Sequence, residues 1–154
     1  MKIRNATSSD FPEVERLLLA SKLPLEGVKE NFSSFVVAEE AGTIAGAIGL
    51  EKYGSAALVR SAVVSPSSRG TGVGRQLVER VLQRANEEGI DDIYLLTTTA
   101  ENYFPKFGFT PTTRSAVPES VKASAEFRGA CPDTAVVMSR RTHKGERKKS
   151  QPKS

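Results

Sequence analysis

Hydrophobic and polar positions follow two spacings along the chain, and each spacing predicts a different element. Short apolar runs bounded by turn residues predict strands at 3–6, 34–39, 44–53, 57–64, 93–96 and 134–138, with another starting at Phe109. Apolar residues three and four apart predict a first helix with Pro12 in its first turn and its end at Pro24, a long helix over 73–88, and short helices at 25–32, 100–107 and 117–123. This order of elements predicts a single α/β domain with a mixed sheet.

Cap and turn residues support these boundaries. Thr7 and Asp10 are spaced as a capping box before the first helix. Gly42 lies in a predicted hairpin turn, and Gly89 follows the long helix as a natural terminating residue. The long helix is therefore predicted to connect the strand 57–64 to the strand 93–96 in a β-α-β crossover.

Length and composition narrow the class of protein. The chain has 154 residues, 38% hydrophobic and 26% charged, which suits one globular domain with a real core. No apolar run approaches the roughly 20 residues that cross a bilayer, and the first residues lack the apolar stretch of a secretory signal. We therefore expect neither a membrane span nor secretion.

The single cysteine and the single histidine limit the chemistry. Cys131 alone allows no intrachain disulfide, which favours a cytoplasmic location. One Cys and one His cannot form a structural zinc site, so no metal is expected. His143 lies in a polar, basic stretch that does not suit a Ser–His–acid hydrolase.

Most of the net positive charge lies at the end of the chain. Residues 140–154 hold seven Lys or Arg and one Glu, which leaves 15 basic and 17 acidic residues in 1–139. We therefore expect a domain over 1–139 and a basic, disordered tail over 140–154. The simplest interpretation is a solvated end. Binding of the tail to RNA or anionic lipid is the alternative, and nucleic acid is not the expected partner.

A glycine-rich loop joins the strand 57–64 to the long helix. Gly70, Gly72 and Gly74 let the backbone approach a ligand closely. Amides at the start of a helix, together with its dipole, favour phosphate or pyrophosphate. Arg69 and Arg75 add positive charge on either side. A turn needed only for chain reversal is the alternative.

The spacing of the loop excludes two common phosphate sites. No G-x-x-x-x-G-K-[ST] sequence is present, so the loop is not a Walker loop. A dinucleotide-binding loop needs glycine where Arg75 stands and an acid after the next strand, whereas Asp91 and Asp92 precede that strand. Another phosphate-bearing ligand is therefore expected.

The loop resembles the acyl-CoA loop of the GNAT superfamily of N-acetyltransferases, whose pattern is Q/R-x-x-G-x-G/A. Arg69, Gly72 and Gly74 occupy the pattern positions, and residues 62–66 and 104–109 are similar to neighbouring family segments. The resemblance implies a GNAT-like fold over about 3–139: a mixed, mostly antiparallel, twisted sheet flanked by helices. It also implies acetyl-CoA as acyl donor and a homodimer as a common assembly.

A finer resemblance is to N-acetyltransferases of arsenic-resistance operons. It rests on residues 95–101, on Ala125-Glu126-Phe127 and on Cys131-Pro132. The late segment is also similar to bacterial N-acetylglutamate synthases. Both relatives imply a small, amino-acid-like amine as the substrate.

The resemblance also assigns the cofactor residues. Backbone groups of Ala62 and Val64, on either side of Val63, would bond the pantetheine amides, and an N–H near Val64 would polarise the thioester carbonyl. The pyrophosphate would be held by the amides of Gly70, Thr71, Gly72, Val73, Gly74 and Arg75. The amine would attack the thioester directly, with a covalent role for Cys131 as the alternative.

Candidate catalytic and substrate residues are less defined. Phe104 replaces the family's usual acid, a Tyr, and Tyr103 lies about 100° away around a helix. Either Tyr103 is the acid, or none is needed because a thiol of pKa about 8.5 is a fair leaving group. Glu51 is the candidate base, acting through water, with a solvated strand-end residue as the alternative.

The strand 57–64 supplies two candidate substrate residues. Arg60 either binds a substrate carboxylate or lies on an exposed face. Ser61 is a candidate for orienting a water. The missing Tyr also permits a different class of protein, a non-catalytic regulatory module that binds acyl-CoA.

Overall fold

The computed structural model of the protein describes residues 1–98, 100–124, 126–130 and 134–142. The predictions made for Cys131, for His143 and for most of the basic tail fall outside these residues. So do parts of the motifs behind the finer resemblance, namely Thr99, Ala125 and Pro132.

The described residues form one seven-stranded sheet. Its strands are β1 (Lys2–Asn5), β2 (Phe35–Glu40), β3 (Thr43–Tyr53), β4 (Ala56–Val64), β5 (Asp92–Thr97), β6 (Thr110–Pro111) and β7 (Val136–Arg141). They lie in the order β1-β2-β3-β4-β5-β7-β6. Only β4 and β5 are parallel, and the other recorded pairs are antiparallel. This is the predicted mixed, mostly antiparallel sheet.

Within the described residues, three α-helices accompany the sheet: α1 (Phe11–Ala20), α2 (Val73–Glu87) and α3 (Glu119–Lys122). The two long helices pack on opposite faces, because neighbouring strand residues point in opposite directions. Val36 contributes to the cluster that contains the buried face of α2, whereas Val37 contributes to the cluster that contains Val14 and Leu18 of α1. The crossover through α2 joins β4 to β5, as predicted.

The N-terminal capping box is also present. Thr7 N–H donates to Oδ2 of Asp10 at 2.8 Å. Arg4 donates to both carboxylate oxygens of Asp10, at 2.8 and 3.0 Å. The Arg4 hydrogen bonds outweigh partial burial and lower the pKa of Asp10 to about 2.

Some predicted elements are wrong or shorter. In place of the helix predicted at 25–32, residues 26–31 form turns and Phe32 begins a short 3-10 helix, with Gly27 at φ 83°, which a continuous helix does not allow. The predicted helix 100–107 is reduced to a 3-10 turn at Phe104–Phe107, closed by Gly108 at φ 89°. The helix predicted at 117–123 covers only α3. Strand β7 extends through Arg141, so Arg140 and Arg141 belong to the sheet and not to a tail.

None of the helices within the described ranges combines the length and the apolar character that a membrane crossing requires.

Candidate active site

The two parallel strands of the sheet separate partway along their length. β4 and β5 pair only from Ala56 opposite Asp92 to Leu58 opposite Tyr94. Further on, β4 stays paired with β3 up to Val64, and β5 stays paired with β7 up to Thr97. The separation opens a cavity of about 860 Å³. Its walls include strand edges with main-chain donors and acceptors that an extended, amide-containing ligand can pair with.

A β-bulge in β4 contributes to this separation. Ala47 pairs with Val63 and Gly49 pairs with Arg60, so one residue of β3 faces two of β4, Ser61 and Ala62. Ser61 adopts φ 59°, in the left-handed region that non-glycine residues rarely occupy. Bulges bend a strand and redirect its side chains. The cavity is consequently lined by the whole stretch from Ser61 to Val64.

The glycine loop lies at the end of β4 and opens into the same cavity. Gly70 and Gly72 have φ of 81° and 89°, and a Cβ added at either would meet no atom within 4 Å. Thr71 bonds to the Ser68 carbonyl through both its amide and its hydroxyl. No backbone acceptor is recorded for the amides of Gly70, Gly72, Val73, Gly74 and Arg75, all in the described part of the chain. Amides arranged in this way at the start of α2 form a cradle of the kind that suits a phosphate group.

Gly74 faces the cavity directly. A Cβ built there would lie 3.4 Å from the Tyr103 hydroxyl and 3.5 Å from Cγ2 of Val64, which are ordinary contacts. A larger side chain would therefore project into the cavity. The two arginines beside the cradle are exposed: Arg69 donates to the Val64 carbonyl at 3.3 Å, and Arg75 pairs with Glu79 at 3.2 Å. Both arginines can reorient toward a phosphate, because exposed ion pairs and hydrogen bonds are weak.

Tyr103 is fixed beside the cradle by other aromatic rings. Its ring makes edge contacts with Phe104 and Phe107 at centroid distances of 5.4 and 5.3 Å. Burial raises the pKa of Tyr103 above its usual value, so the hydroxyl stays protonated and available as a donor. Phe104 is buried and lines the cavity, without a hydroxyl. The phenolic hydroxyl beside Gly74 is thus that of Tyr103.

Beyond the bulge, charged side chains cluster around Arg60. Arg60 donates from Nη1 to Glu51, from Nε to Ser61 Oγ at 3.0 Å, and from Nη2 to the Pro24 carbonyl at 3.3 Å. Oε2 of Glu126 lies 3.5 Å from Nη2, and the Arg60 side chain has 0% exposure. The guanidinium is therefore held by four partners and is closed to bulk solvent.

Glu51 belongs to the interior of this cluster. The side chain is 2% exposed. One of its oxygens accepts from Arg60 and the other from the Tyr53 hydroxyl. Burial and this bond to Glu51 raise the pKa of Tyr53, so Tyr53 remains a donor. The expectations that Arg60 occupies an exposed face and that Glu51 is a solvated strand end are both wrong, because each side chain is buried in an ion pair.

The structure brings most of the predicted site residues together. The cavity is lined by the predicted residues Ala62, Val63, Val64, Arg69, Gly70, Gly72, Gly74, Arg75 and Tyr103, with Arg60 and Ser61 at its other end. Thr71 is not among the lining residues, and Val73 is buried in the core beneath the loop. From β3 the lining residue is Ala47, and Glu51 lies behind Arg60. Sequence reasoning gave no role to Lys22, Pro24, Glu26 or Glu126, which also line the cavity. The available signal for Glu126 was that it is the single acid between Glu119 and Asp133 in the sequence.

Comparison with known proteins gives one family. The family described as acetyltransferase (GNAT) domain matches residues 31–111, more than half of the chain. An uncharacterized N-acetyltransferase of Chlorobaculum tepidum is 26% identical over 146 residues, which are 88% of this chain and 94% of that protein. An amino-acid acetyltransferase of Escherichia coli strain K12 is 27% identical over 133 residues, 79% of this chain and 29% of that protein.

Solved structures share the fold. N-acetylglutamate synthase from Neisseria gonorrhoeae, in complex with coenzyme A and N-acetylglutamate, matches with a TM-score of 0.80 at 23% identity, over 92% of this chain and 35% of that chain. A Mycobacterium tuberculosis protein in complex with coenzyme A matches with a TM-score of 0.73 at 23% identity, over 92% and 99%. The chain spans about a third of the length of the amino-acid acetyltransferases and the synthase.

Proposed function

Because the chain belongs to the GNAT acetyltransferase family, we propose that it transfers the acetyl group of acetyl-CoA to the amine of a small, amino-acid-like substrate. Family membership confirms the predicted enzyme class, an N-acetyltransferase, together with the GNAT-like fold and acetyl-CoA as acyl donor. The observation that carries the proposal is the glycine cradle opening into the gap between β4 and β5. The cradle therefore accommodates a phosphate group, and the gap beside it accommodates an extended arm.

The donor end of the cavity fits coenzyme A through main-chain groups. Backbone groups of Ala62 and Val64 on the β4 edge bind the pantetheine amides, and Arg69 and Arg75 add charge to the amide cradle at residues 70–75. Acetyl-CoA supplies an acetyl group activated as a thioester. The N–H near Val64 polarises the carbonyl of that thioester.

No dedicated general acid is required at the donor end. Phe104 offers no proton, and the Tyr103 hydroxyl lies beside Gly74, at the phosphate cradle. Tyr103 therefore serves as a hydrogen-bond donor to the cofactor. Coenzyme A leaves as a thiolate, which a thiol pKa of about 8.5 makes tolerable without an acid.

The acceptor is an amino acid or a close mimic of one. Support comes from those relatives that are amino-acid acetyltransferases by name, and from the similar structure with bound N-acetylglutamate. The link to arsenic resistance stays a prediction from the finer resemblance. Cytoplasmic location and a homodimer likewise stay predictions.

A thiol-release assay tests the function. The purified chain is incubated with acetyl-CoA and, in turn, L-glutamate, L-glutamine, glycine, the remaining amino acids and a phosphorus-bearing or arsenic-bearing amino-acid mimic. The proposal predicts free thiol above the rate of hydrolysis with at least one amine. Binding of acetyl-CoA without turnover of any amine would favour the non-catalytic regulatory module.

The basic tail is tested separately from catalysis. Residues 143–154 are deleted, because Arg140 and Arg141 lie in β7 and must stay. The proposal predicts unchanged thiol release. Loss of polyanion binding together with loss of activity would favour the alternative, a function that depends on binding of the tail to RNA or anionic lipid.

A further inference from the structure

The helix α1 is followed by a lysine in a position that glycine usually occupies. The amide of Lys22 donates to the Leu19 carbonyl at 3.1 Å. The amide of Leu23 donates to the Leu18 carbonyl at 2.9 Å. These two bonds form a Schellman motif, whose left-handed residue is most often glycine. Lys22 takes that place with φ 58°, at a conformational cost that glycine does not carry.

The same lysine lines the cavity at the end that holds Arg60 and Ser61, which we call the acceptor end. Pro24, two residues further on, lines the cavity as well, and its carbonyl accepts from Nη2 of Arg60 at 3.3 Å. This hydrogen bond fixes the segment after α1 against β4. A rare backbone conformation at a cavity wall is typical of a functional position when neighbouring contacts hold it in place.

Lys22 is available to a ligand, unlike the arginines of the cavity. Arg60 is enclosed by its partners, and Arg69 and Arg75 lie beside the phosphate cradle. Among the residues that the structure describes, no ion pair or side-chain hydrogen bond is recorded for the exposed Lys22, although Glu26 also lines the cavity. Its ammonium group therefore keeps three hydrogen-bond donors for an anionic group that enters the acceptor end.

We propose that Lys22 binds a carboxylate of the acceptor and thereby selects for amines that carry one. This inference rests on the proposed function and names a specificity-determining residue for it. The ammonium group of Lys22 holds the anionic end of the acceptor, so that the amine extends into the cavity toward the thioester. Amines without a free carboxylate gain nothing from Lys22 and are poorer acceptors.

The substitution Lys22→Gly tests this role without endangering the fold, because glycine suits the left-handed position. The acceptors are glycine and L-glutamate, each compared with its fully methylated ester, which keeps the amine and lacks the carboxylate. We expect kcat/KM for the two amino acids to fall about tenfold, the effect of losing one hydrogen bond between charged groups. For the two esters kcat/KM stays unchanged. Lys22→Arg, which keeps the charge, retains most of the preference for the amino acids.

Ala41→Gly is the matched control for the change in the backbone. Ala41 is also left-handed, with φ 52°, but it lies in the exposed hairpin between β2 and β3 and does not line the cavity. Both glycine variants should unfold at a temperature equal to or above that of the wild type, and both should bind acetyl-CoA in calorimetry as the wild type does. Ala41→Gly should also keep the wild-type kcat/KM for every acceptor.

The ratio of kcat/KM between acid and ester separates carboxylate binding from a structural role. The same ratio in the wild type and in Lys22→Gly overturns the inference and leaves the proposed function intact, whether or not overall activity falls. A lower unfolding temperature in Lys22→Gly also overturns it, since the lysine side chain would then stabilise the fold. A wild-type chain that binds acetyl-CoA but acetylates neither the acids nor the esters contradicts the proposed function for these acceptors and the inference with it.

Discussion

The two ends of the cavity are built from different parts of the chain. The donor end uses main-chain groups of one continuous stretch, residues 62–75, with the amides of the glycine loop and the free edge of β4. The acceptor end uses charged side chains from three separate segments, with Glu51 and Arg60 on adjacent strands and Glu126 near the end of the chain.

This difference determines how each end responds to substitution. The donor end depends on open space and free amides, so a side chain that fills the space removes binding without disturbing the core. The acceptor end depends on buried charges that stabilise one another, so removal of one charge affects the fold as well as the reaction.

The largest effect is expected from Gly74→Glu. Its side chain and negative charge would enter the phosphate cradle, so calorimetry should detect no binding of acetyl-CoA, while thermal unfolding stays close to that of the wild type. Gly74→Ala is the matched control, since its Cβ would make only ordinary contacts with Tyr103 and Val64. Unchanged affinity in Gly74→Glu would count against the donor site.

The next effect is a loss of stability in Glu51→Gln. Removing this charge leaves the buried Arg60 without its closest partner, and the free energy of unfolding should fall by about 3 kcal/mol. Urea denaturation measures this change. The matched variant is Glu79→Gln, which removes an exposed partner of Arg75 and should change stability by less than about 1 kcal/mol. Equal stability of the two variants would contradict a buried charge cluster.

The donor end of the cavity could be predicted from the sequence, whereas the acceptor end could not. The cradle was predictable because its chemistry is that of the backbone, and glycines at 70, 72 and 74 mark it locally. The acceptor end was not, because its groups are up to 75 positions apart in sequence, between Glu51 and Glu126, and meet only through the fold. Arg60 in particular was open to an exposed interpretation, since its burial depends on a carboxylate supplied by β3.

The elements of the fold also differ in how well the sequence predicts them. α2 and the strands, apart from the end of β7, were predicted within about two residues because apolar periodicity defines them. The short helices were not, since turns containing Gly27 or Pro105 keep an apolar pattern without continuing as a helix. The bulge at Ser61 has no signal in residue type at all, because its left-handed φ is imposed by the pairing of β3 with β4.

A smaller effect is expected from Tyr103→Phe. If the hydroxyl donates to the cofactor, its loss removes one hydrogen bond, worth about 1 kcal/mol, and raises KM for acetyl-CoA about fivefold. The kcat value and the basic limb of the pH profile should stay unchanged. A fall in kcat with a shifted basic limb would instead assign Tyr103 as the general acid.

The smallest effect is expected at Asp10, in the N-terminal capping box and away from both ends of the cavity. The pKa of Asp10 is lowered from 3.8 to about 2 by Arg4, so the pair stabilises the folded state above pH 4. This contribution, on the order of 1 kcal/mol, is lost as pH falls from about 4 to about 2. Asp10→Asn should flatten the pH dependence of urea unfolding in that range and leave acetyl-CoA affinity at neutral pH unaltered. A changed affinity would show that the regions are coupled.

Amide resonances report most directly on whether the main chain holds coenzyme A. In a titration of ¹⁵N-labelled protein with coenzyme A, followed by NMR, we expect the largest shifts at the amides of residues 70–75, with further shifts along residues 62–64. Saturable shifts elsewhere, with the loop amides unmoved, would contradict the assignment of the glycine loop as the donor site.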